Sequence, residues 1–244
     1  MYIWKFKCNI ITNREIGRAH VWTPVTTSFQ YTGSEITLVN NTVNSNRIEE
    51  NIISWTDNKK TERNNYTAKA NLGNTNNFIW SDGSIDEKTY AWNIYITATF
   101  TYESATVAGL TGATTVNTST GTPTFPTANQ KTGYGTPTWY NGTTAVSGST
   151  VFNDNVTLTA KATANTITIT LDRQSGTGGL ANVYYKYNTN KYYSNSGCST
   201  QITSITVPTR TGYTFGGYYT STGGSGTQYI TAAGAFTNNL YTAV

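Results

Sequence analysis

The sequence predicts an all-β protein, and three observations carry that prediction. Thr makes up about one residue in five and Tyr supplies 18 of the 244 residues, and both fit a pleated, half-buried surface. Charged residues reach only 11%, whereas a helical chain of this length needs far more Glu, Lys, Ala and Leu. Apolar residues also alternate with Thr along several segments, the period of a sheet buried on one face and wet on the other. Disorder is the rival for so polar a chain. The 13% of aromatic residues and the net charge of +4 oppose it, because disordered tracts are poor in Tyr and Trp and rich in charge. No run approaches the roughly 18 apolar residues of a membrane helix, so no membrane segment is expected.

Residues 1–27 read as foreign to the rest. Met1 to Asn13 lacks the uninterrupted apolar stretch and small-residue cleavage site of a signal peptide. Residues Glu15-Ile16-Gly17-Arg18-Ala19-His20-Val21-Trp22-Thr23-Pro24-Val25-Thr26 resemble a translation of the adapter oligonucleotide of short-read sequencing libraries, with Trp22 where that oligonucleotide carries UGA. The alternative is a polar strand with a turn at Pro24. The resemblance implies a fragment fused to non-biological sequence, with both true ends missing, so residues 1–27 are set aside from fold reasoning. The only histidine, His20, and one of two cysteines, Cys8, leave with them. So does most of the charge: Lys5, Lys7, Arg14 and Arg18 against Glu15 supply +3 of the +4. The remaining basic residues are scattered singly apart from Lys59-Lys60, which argues against a nucleic-acid face.

The elements then follow in order. Phe29 to Val39 alternates through a Thr32-Gly33 turn, Ile48 to Ile52 leaves room for a short helical turn, and Ile52 to Trp55 is a short strand. Tyr66 to Leu72 is a clear strand. Phe78-Ile79-Trp80 enters a Ser81-Asp82-Gly83-Ser84 turn and Lys88 to Ile94 returns, the pattern of a hairpin with an Asp-Gly corner. Past Asn93 the charge thins and Thr, Gly and Tyr take over, which fits a module boundary there. Within this second regime the chain repeats itself. Lys131-Thr132-Gly133-Tyr134 through Trp139-Tyr140 aligns with Arg210-Thr211-Gly212-Tyr213 through Tyr218-Tyr219, 79 residues later. Upstream, the strand Ile96 to Tyr102 matches Ile167 to Leu171; downstream, Val156 to Ala160 matches Asn239 to Ala243. The second copy is longer, and its extra residues, Tyr184-Tyr185-Lys186-Tyr187 and Lys191-Tyr192-Tyr193, read as a hairpin or long loop.

Residues 211–219 resemble the Listeria-Bacteroides repeat, the internalin-type B repeat of bacterial surface proteins, whose hallmark is a Thr-Gly-Tyr-Thr-Phe-x-Gly-aromatic-Tyr run closed by a Leu-Tyr-Ala-like strand. Leu240-Tyr241-Thr242-Ala243 supplies that strand. The first copy departs from it, with Gly135-Thr136-Pro137 in place of the Thr-Phe-x-Gly segment. Residues 28–94 resemble the Ig-like MBG-type modules, through Phe29-Gln30-Tyr31-Thr32-Gly33, Asn65-Tyr66-Thr67 and Trp80-Ser81-Asp82-Gly83. The resemblance implies modules at 28–94, 95–163 and 164–244, the repeats β-grasp-like, in a non-catalytic stalk on the bacterial surface or outside the cell. It implies neighbouring repeats as partners and brings no catalytic residues or cofactor.

From Asn93 onward the only carboxylates are Glu103, Asp154 and Asp172, and no histidine lies beyond His20, so Ser-His-Asp and Cys-His sites are not expected. Asp82, Asp86 and Glu87 could form a glycosidase pair or hold Ca²⁺, but Asp82-Gly83 reads as a turn and the spacing lacks an EF-loop pattern. Cys198 has no histidine partner and reads as inert. Sugar binding is the stronger rival to a stalk, because aromatic faces stack on apolar sugar surfaces. The candidates for contact with a host glycan or protein are Tyr184, Tyr185, Tyr187, Tyr192, Tyr193, Trp139 and Tyr219. Adjacent strand residues point to opposite faces, so one aromatic of each pair should be core and its neighbour exposed.

Overall fold

A computed structural model describes residues 19–21, 27–38, 53–73, 75, 78–80 and 83–237. The expected helical turn at 48–52, the residue Asp82 and the closing strand at 239–243 lie outside them. The described residues are almost wholly strands and turns. In order, the strands are β1 (Ala19–Val21), β2 (Ser28–Gln30), β3 (Ile36–Thr37), β4 (Ile53–Thr56), β5 (Lys59–Lys60), β6 (Asn64–Leu72), β7 (Phe78–Trp80), β8 (Lys88–Tyr102), β9 (Val107–Thr111) and β10 (Thr115–Thr118). They continue as β11 (Thr127–Gln130), β12 (Thr138–Asn141), β13 (Thr144–Val146), β14 (Val156–Lys161), β15 (Thr166–Thr170), β16 (Asn182–Lys186), β17 (Lys191–Tyr193), β18 (Gln201–Ile202), β19 (Gly217–Ser221) and β20 (Ser225–Thr231). The one helical piece among the described residues is the 3-10 turn Thr222–Gly224. Among the described residues no helix of the β-grasp kind crosses these sheets.

The chain forms two compact units. The first comprises Met1–Thr101, Gly112–Thr127 and Trp139–Thr159; the second comprises Tyr102–Thr111, Ala128–Thr138 and Ala160–Val244. This grouping divides the expected middle module, 95–163, between the two units.

In the first unit an eight-stranded sheet runs β13-β12-β14-β8-β6-β4, with β10 and β2 also paired to β8. Strand β8 is its spine. Its fifteen residues alternate throughout, burying Trp92, Ile94, Ile96, Ala98 and Phe100, so backbone pairing passes unbroken through the expected boundary at 94/95. At that position β8 changes neighbours: residues 88–94 pair with β6 and residues 96–99 with β10. The composition shift near Asn93 marks this change of partners and not a break in the strand. Around it, Trp92 packs against Phe29 edge-on at 6.0 Å and against Tyr66 at 5.1 Å. Phe100, Phe125 and Trp139 form a triangle of T-shaped contacts at 5.2, 5.2 and 5.7 Å, the geometry that ring quadrupoles favour.

The hairpin expected from Phe78–Trp80 and Lys88–Ile94 does not form. β7 pairs in parallel with β1, inside the segment set aside above, and β8 takes β6. Nine alternating residues in β6 offer β8 a long matching ladder, against three in β7, and the longer ladder wins.

Arg63 ties this unit together. Its Nε donates to Phe152 O at 2.6 Å, Nη1 to Ser119 O at 3.3 Å and Nη2 to Asn153 Oδ1 at 2.9 Å. It lies so close to Gly121, at φ +79°, that a Cβ there would collide with the guanidinium. Hydrogen bonds from a charged donor are the stronger kind. Arg63→Ala is expected to lower stability by about 2 kcal/mol, read as a lower urea midpoint with an unchanged slope.

In the second unit β9 pairs with β11, β19 with β20, and β15-β16-β17-β18 form a four-stranded antiparallel sheet. Its inner face buries Val183, Tyr185, Tyr192, Leu171, Ile205 and Ile230. Two turns in this unit share a closure. Tyr134 N–H donates to Lys131 O at 3.0 Å and Tyr213 N–H to Arg210 O at 3.1 Å, with Gly133 at φ +83° and Gly212 at φ +78°. Only glycine takes that conformation without strain. The basic residue anchors each turn to the loop after a strand: Lys131 Nζ to Ser104 O at 2.8 Å, Arg210 Nη1 to Gln174 O at 2.9 Å.

Candidate functional site

The Tyr-rich insert is a tight hairpin, β16 to β17, and not a loose loop. Alternation looked weak in the sequence because tyrosines serve both faces, and the register separates them. Tyr185 sits opposite Tyr192, and Tyr184 opposite Tyr193. Tyr185 and Tyr192 point inward at 1% and 8% exposure, their rings 5.3 Å apart, with Tyr192 stacked on Phe236 at 4.2 Å. They are core residues and present nothing to a ligand. Trp139 is also buried, within the Phe100 and Phe125 triangle. These three contact candidates are withdrawn: each is the inward member of an alternating pair, and the phase of that alternation is set by packing.

Tyr187, past the end of β16, is half-buried and lies edge-on to Tyr134 at 5.3 Å. Tyr219 is half-buried in β19, its hydroxyl donating to Gly216 O at 3.4 Å. Tyr184 and Tyr193 are likewise half-buried, and they are the two candidates whose rings share one open sheet face.

They stand on the outer face of the four-stranded sheet. One row across it reads Thr168, Tyr184, Tyr193 and Gln201; the next reads Thr166, Lys186 and Lys191; a third reads Thr170 and Asn182. All are exposed or half-buried. The sequence showed these residue types but not their grouping, because the rows join four strands. Lys186 and Lys191 face each other directly, and like charges so placed oppose strand pairing. Neither takes part in an ion pair among the described residues. The face thus combines two phenol rings, two ammonium groups and a field of hydroxyls and amides.

Three of the candidate carboxylates are otherwise engaged. Glu87 Oε1 lies 2.9 Å from Lys69 Nζ and its Oε2 accepts from Asn71 Nδ2 at 3.2 Å. The hydrogen bond from Lys69 holds its pKa below the ordinary value, the opposite of what a general acid needs. Glu103 pairs with Lys161 at 3.0 Å, and Asp172 Oδ1 accepts from Gln174 N–H at 2.9 Å. Among the described residues no three His, Cys, Asp or Glu side chains approach closely enough to share a metal ion. A polar concavity of 350 Å³ in the first unit, lined by Asn141 and residues 151–157, has Asp154 as its single carboxylate. No helix among the described residues is long and apolar enough to cross a membrane.

No family model, curated protein or solved structure matches the chain.

Proposed function

We propose that this chain is a non-catalytic segment of a bacterial surface or secreted protein. Tandem small β modules of the Listeria-Bacteroides repeat kind follow an MBG-like module and space or present an adhesive domain. The observation that carries the reading is the recurrence, 79 residues apart, of a basic-Thr-Gly-Tyr turn. Both copies close with the same hydrogen bond, and the basic residue at the same place in each, Lys131 or Arg210, anchors the turn to a preceding loop. Such recurrence suits a stalk, in which one unit design sets reach by repetition. The carboxylates engaged by lysines and a backbone amide add support, since catalysis needs converging free groups.

A second reading is favoured by the outer face of the β15-β16-β17-β18 sheet. Tyr184 and Tyr193 offer ring faces and Lys186 and Lys191 offer charge, a combination that suits an acidic glycan. Retention on immobilised neutral, carboxylated and sulfated glycans separates the readings. A pure spacer is retained by none. A glycan-binding module is retained by the acidic ones, and retention disappears in the Tyr184→Ser, Tyr193→Ser double variant.

The opposed lysines give a stability prediction as well. Lys191→Glu should raise stability by about 0.2–1 kcal/mol, replacing a like-charge cross-strand pair with an opposite one. It should also abolish any retention on acidic glycans. Thermal unfolding alongside the retention assay checks both halves.

A further inference from the structure

The two Thr-Gly-Tyr turns begin alike and end differently, and the difference identifies a surface. Around the first turn the chain folds back on itself. Gly133 O accepts from Asn165 N–H at 2.9 Å, Gly135 N–H donates to Thr163 O at 2.9 Å, and Tyr187 N–H donates to Asn165 O at 3.0 Å. The linker Thr163-Ala164-Asn165 thereby lies along the turn, with Tyr134 and Ala164 bridged as in a sheet. Tyr187 then closes it. Its ring meets Tyr134 edge-on at 5.3 Å and covers Gly133 so closely that a Cβ there would collide with it. Tyr134 is left 7% exposed.

Among the described residues the second turn has none of this cover. Tyr213 is 68% exposed and Gly212 has nothing within 4 Å of where a Cβ would stand. Among the described residues Gly212 O and Thr214 N–H make no backbone bond, although their counterparts Gly133 O and Gly135 N–H both do. One face of the Tyr213 ring carries the Arg210 guanidinium, 4.2 Å from its centre; the ring edge stays open.

We infer that the Arg210–Tyr213 turn is a docking socket for a further module of the same kind. The occupant lays a linker like Thr163-Ala164-Asn165 along Gly212 and Thr214 and sets the tyrosine equivalent to Tyr187 over Gly212, against Tyr213. The first turn is the template for this occupant: it shows the same backbone groups filled and the same tyrosine buried. Glycine at 212 keeps the place of the incoming ring clear, as Gly133 does for Tyr187. An exposed tyrosine beside unpaired backbone groups is then an interface between successive modules. The inference rests on the tandem-module reading above and adds to it how one module holds the next.

The test extends the full chain by repeating residues 162–244 after Val244, the register in which the strand Val156–Lys161 aligns with the last residues. Nitration by tetranitromethane is followed tyrosine by tyrosine with mass spectrometry. The prediction is that Tyr213 reacts readily in the 244-residue chain and about tenfold more slowly in the extended one, the effect of a socket filled about nine-tenths of the time. Tyr187→Ala in the appended copy alone should restore its reactivity. In the unextended chain, Tyr187→Ala should expose Tyr134 to reagent while Tyr187→Phe, which keeps the ring, leaves it protected. A Tyr213 that nitrates equally fast with and without the added module overturns the inference. Tyr185 of the appended copy tells which premise failed: protected, the module folds and does not dock; reactive, the tandem-module reading falls too.

Discussion

Tyr185→Ala is expected to destabilise the second unit by about 3–5 kcal/mol, and Tyr184→Ala by no more than about 0.5 kcal/mol. The two residues are neighbours in sequence and identical in chemistry, so the contrast isolates the direction of the side chain. Tyr185 is 1% exposed and packs with Tyr192, Val183, Leu171, Ile205 and Ile230. Removing its ring leaves a cavity that a small sheet cannot collapse to fill. Its hydroxyl also bonds to Asn190 Oδ1 at 3.4 Å, in the loop that closes the hairpin. Tyr184, on the wet face opposite Tyr193, gives up only a half-exposed cross-strand contact. Urea denaturation followed by circular dichroism reads both. Equal losses in the two variants would show that the register described for β16 and β17 is wrong.

The second large effect belongs to the first unit. Trp92→Ala should cost about 3–5 kcal/mol, because Trp92 is 3% exposed in β8 and touches Phe29 and Tyr66 together. Trp92→Phe should cost much less. The indole N–H is enclosed without an acceptor among the described residues, so losing it breaks no hydrogen bond, and a phenyl ring keeps most of the contact area. If Trp92→Phe proves as damaging as Trp92→Ala, the N–H has a partner, such as bound water, that matters more than the packing. Thermal melts of the two variants against the parent chain make the comparison.

How far the sequence could be read shows in particular elements. The strand expected at Tyr66–Leu72 is β6, nearly residue for residue; those at Ile96–Tyr102 and Val156–Ala160 fall within β8 and β14, and that at Ile167–Leu171 matches β15 but for its last residue. Each carries its signal locally, as alternation of apolar residues with Thr. The rule that one aromatic of each adjacent pair turns inward was also local, and it holds for Tyr184-Tyr185 and Tyr192-Tyr193. Which member turns inward was not legible. That phase depends on the partner strand and on Leu171, Ile205 and Ile230, residues far away in sequence. For the same reason the partner of Phe78–Trp80 is not legible locally: an Asp-Gly corner advertises a hairpin, but β6 competes for the same edge of β8 and has the longer ladder. The role of Tyr187 lay furthest out of reach. Its partner Tyr134 is separated from it by five strands, β12 to β16, and nothing in either local pattern announces the contact.

Charge illustrates a different limit. The sequence as a whole looks weakly basic, and past the first 27 residues the excess nearly cancels. The fold redistributes it. The second unit holds Lys131, Lys161, Arg173, Lys186, Lys191 and Arg210 against the acids Glu103 and Asp172, so it carries the positive field and sets two of its lysines face to face. A net charge hides such an arrangement, because attraction of an acidic ligand depends on where charges cluster.

The proposal that the chain spaces an adhesive domain from a surface requires its two compact β units to resist extension. Stretching the full 244-residue chain end to end in a single-molecule force experiment addresses it directly. The account predicts at least two separated unfolding events, one of which releases the β15–β20 segment at about 3.3–3.6 Å per residue. A single event that releases the whole chain at once, or extension without any resisting event, would contradict it.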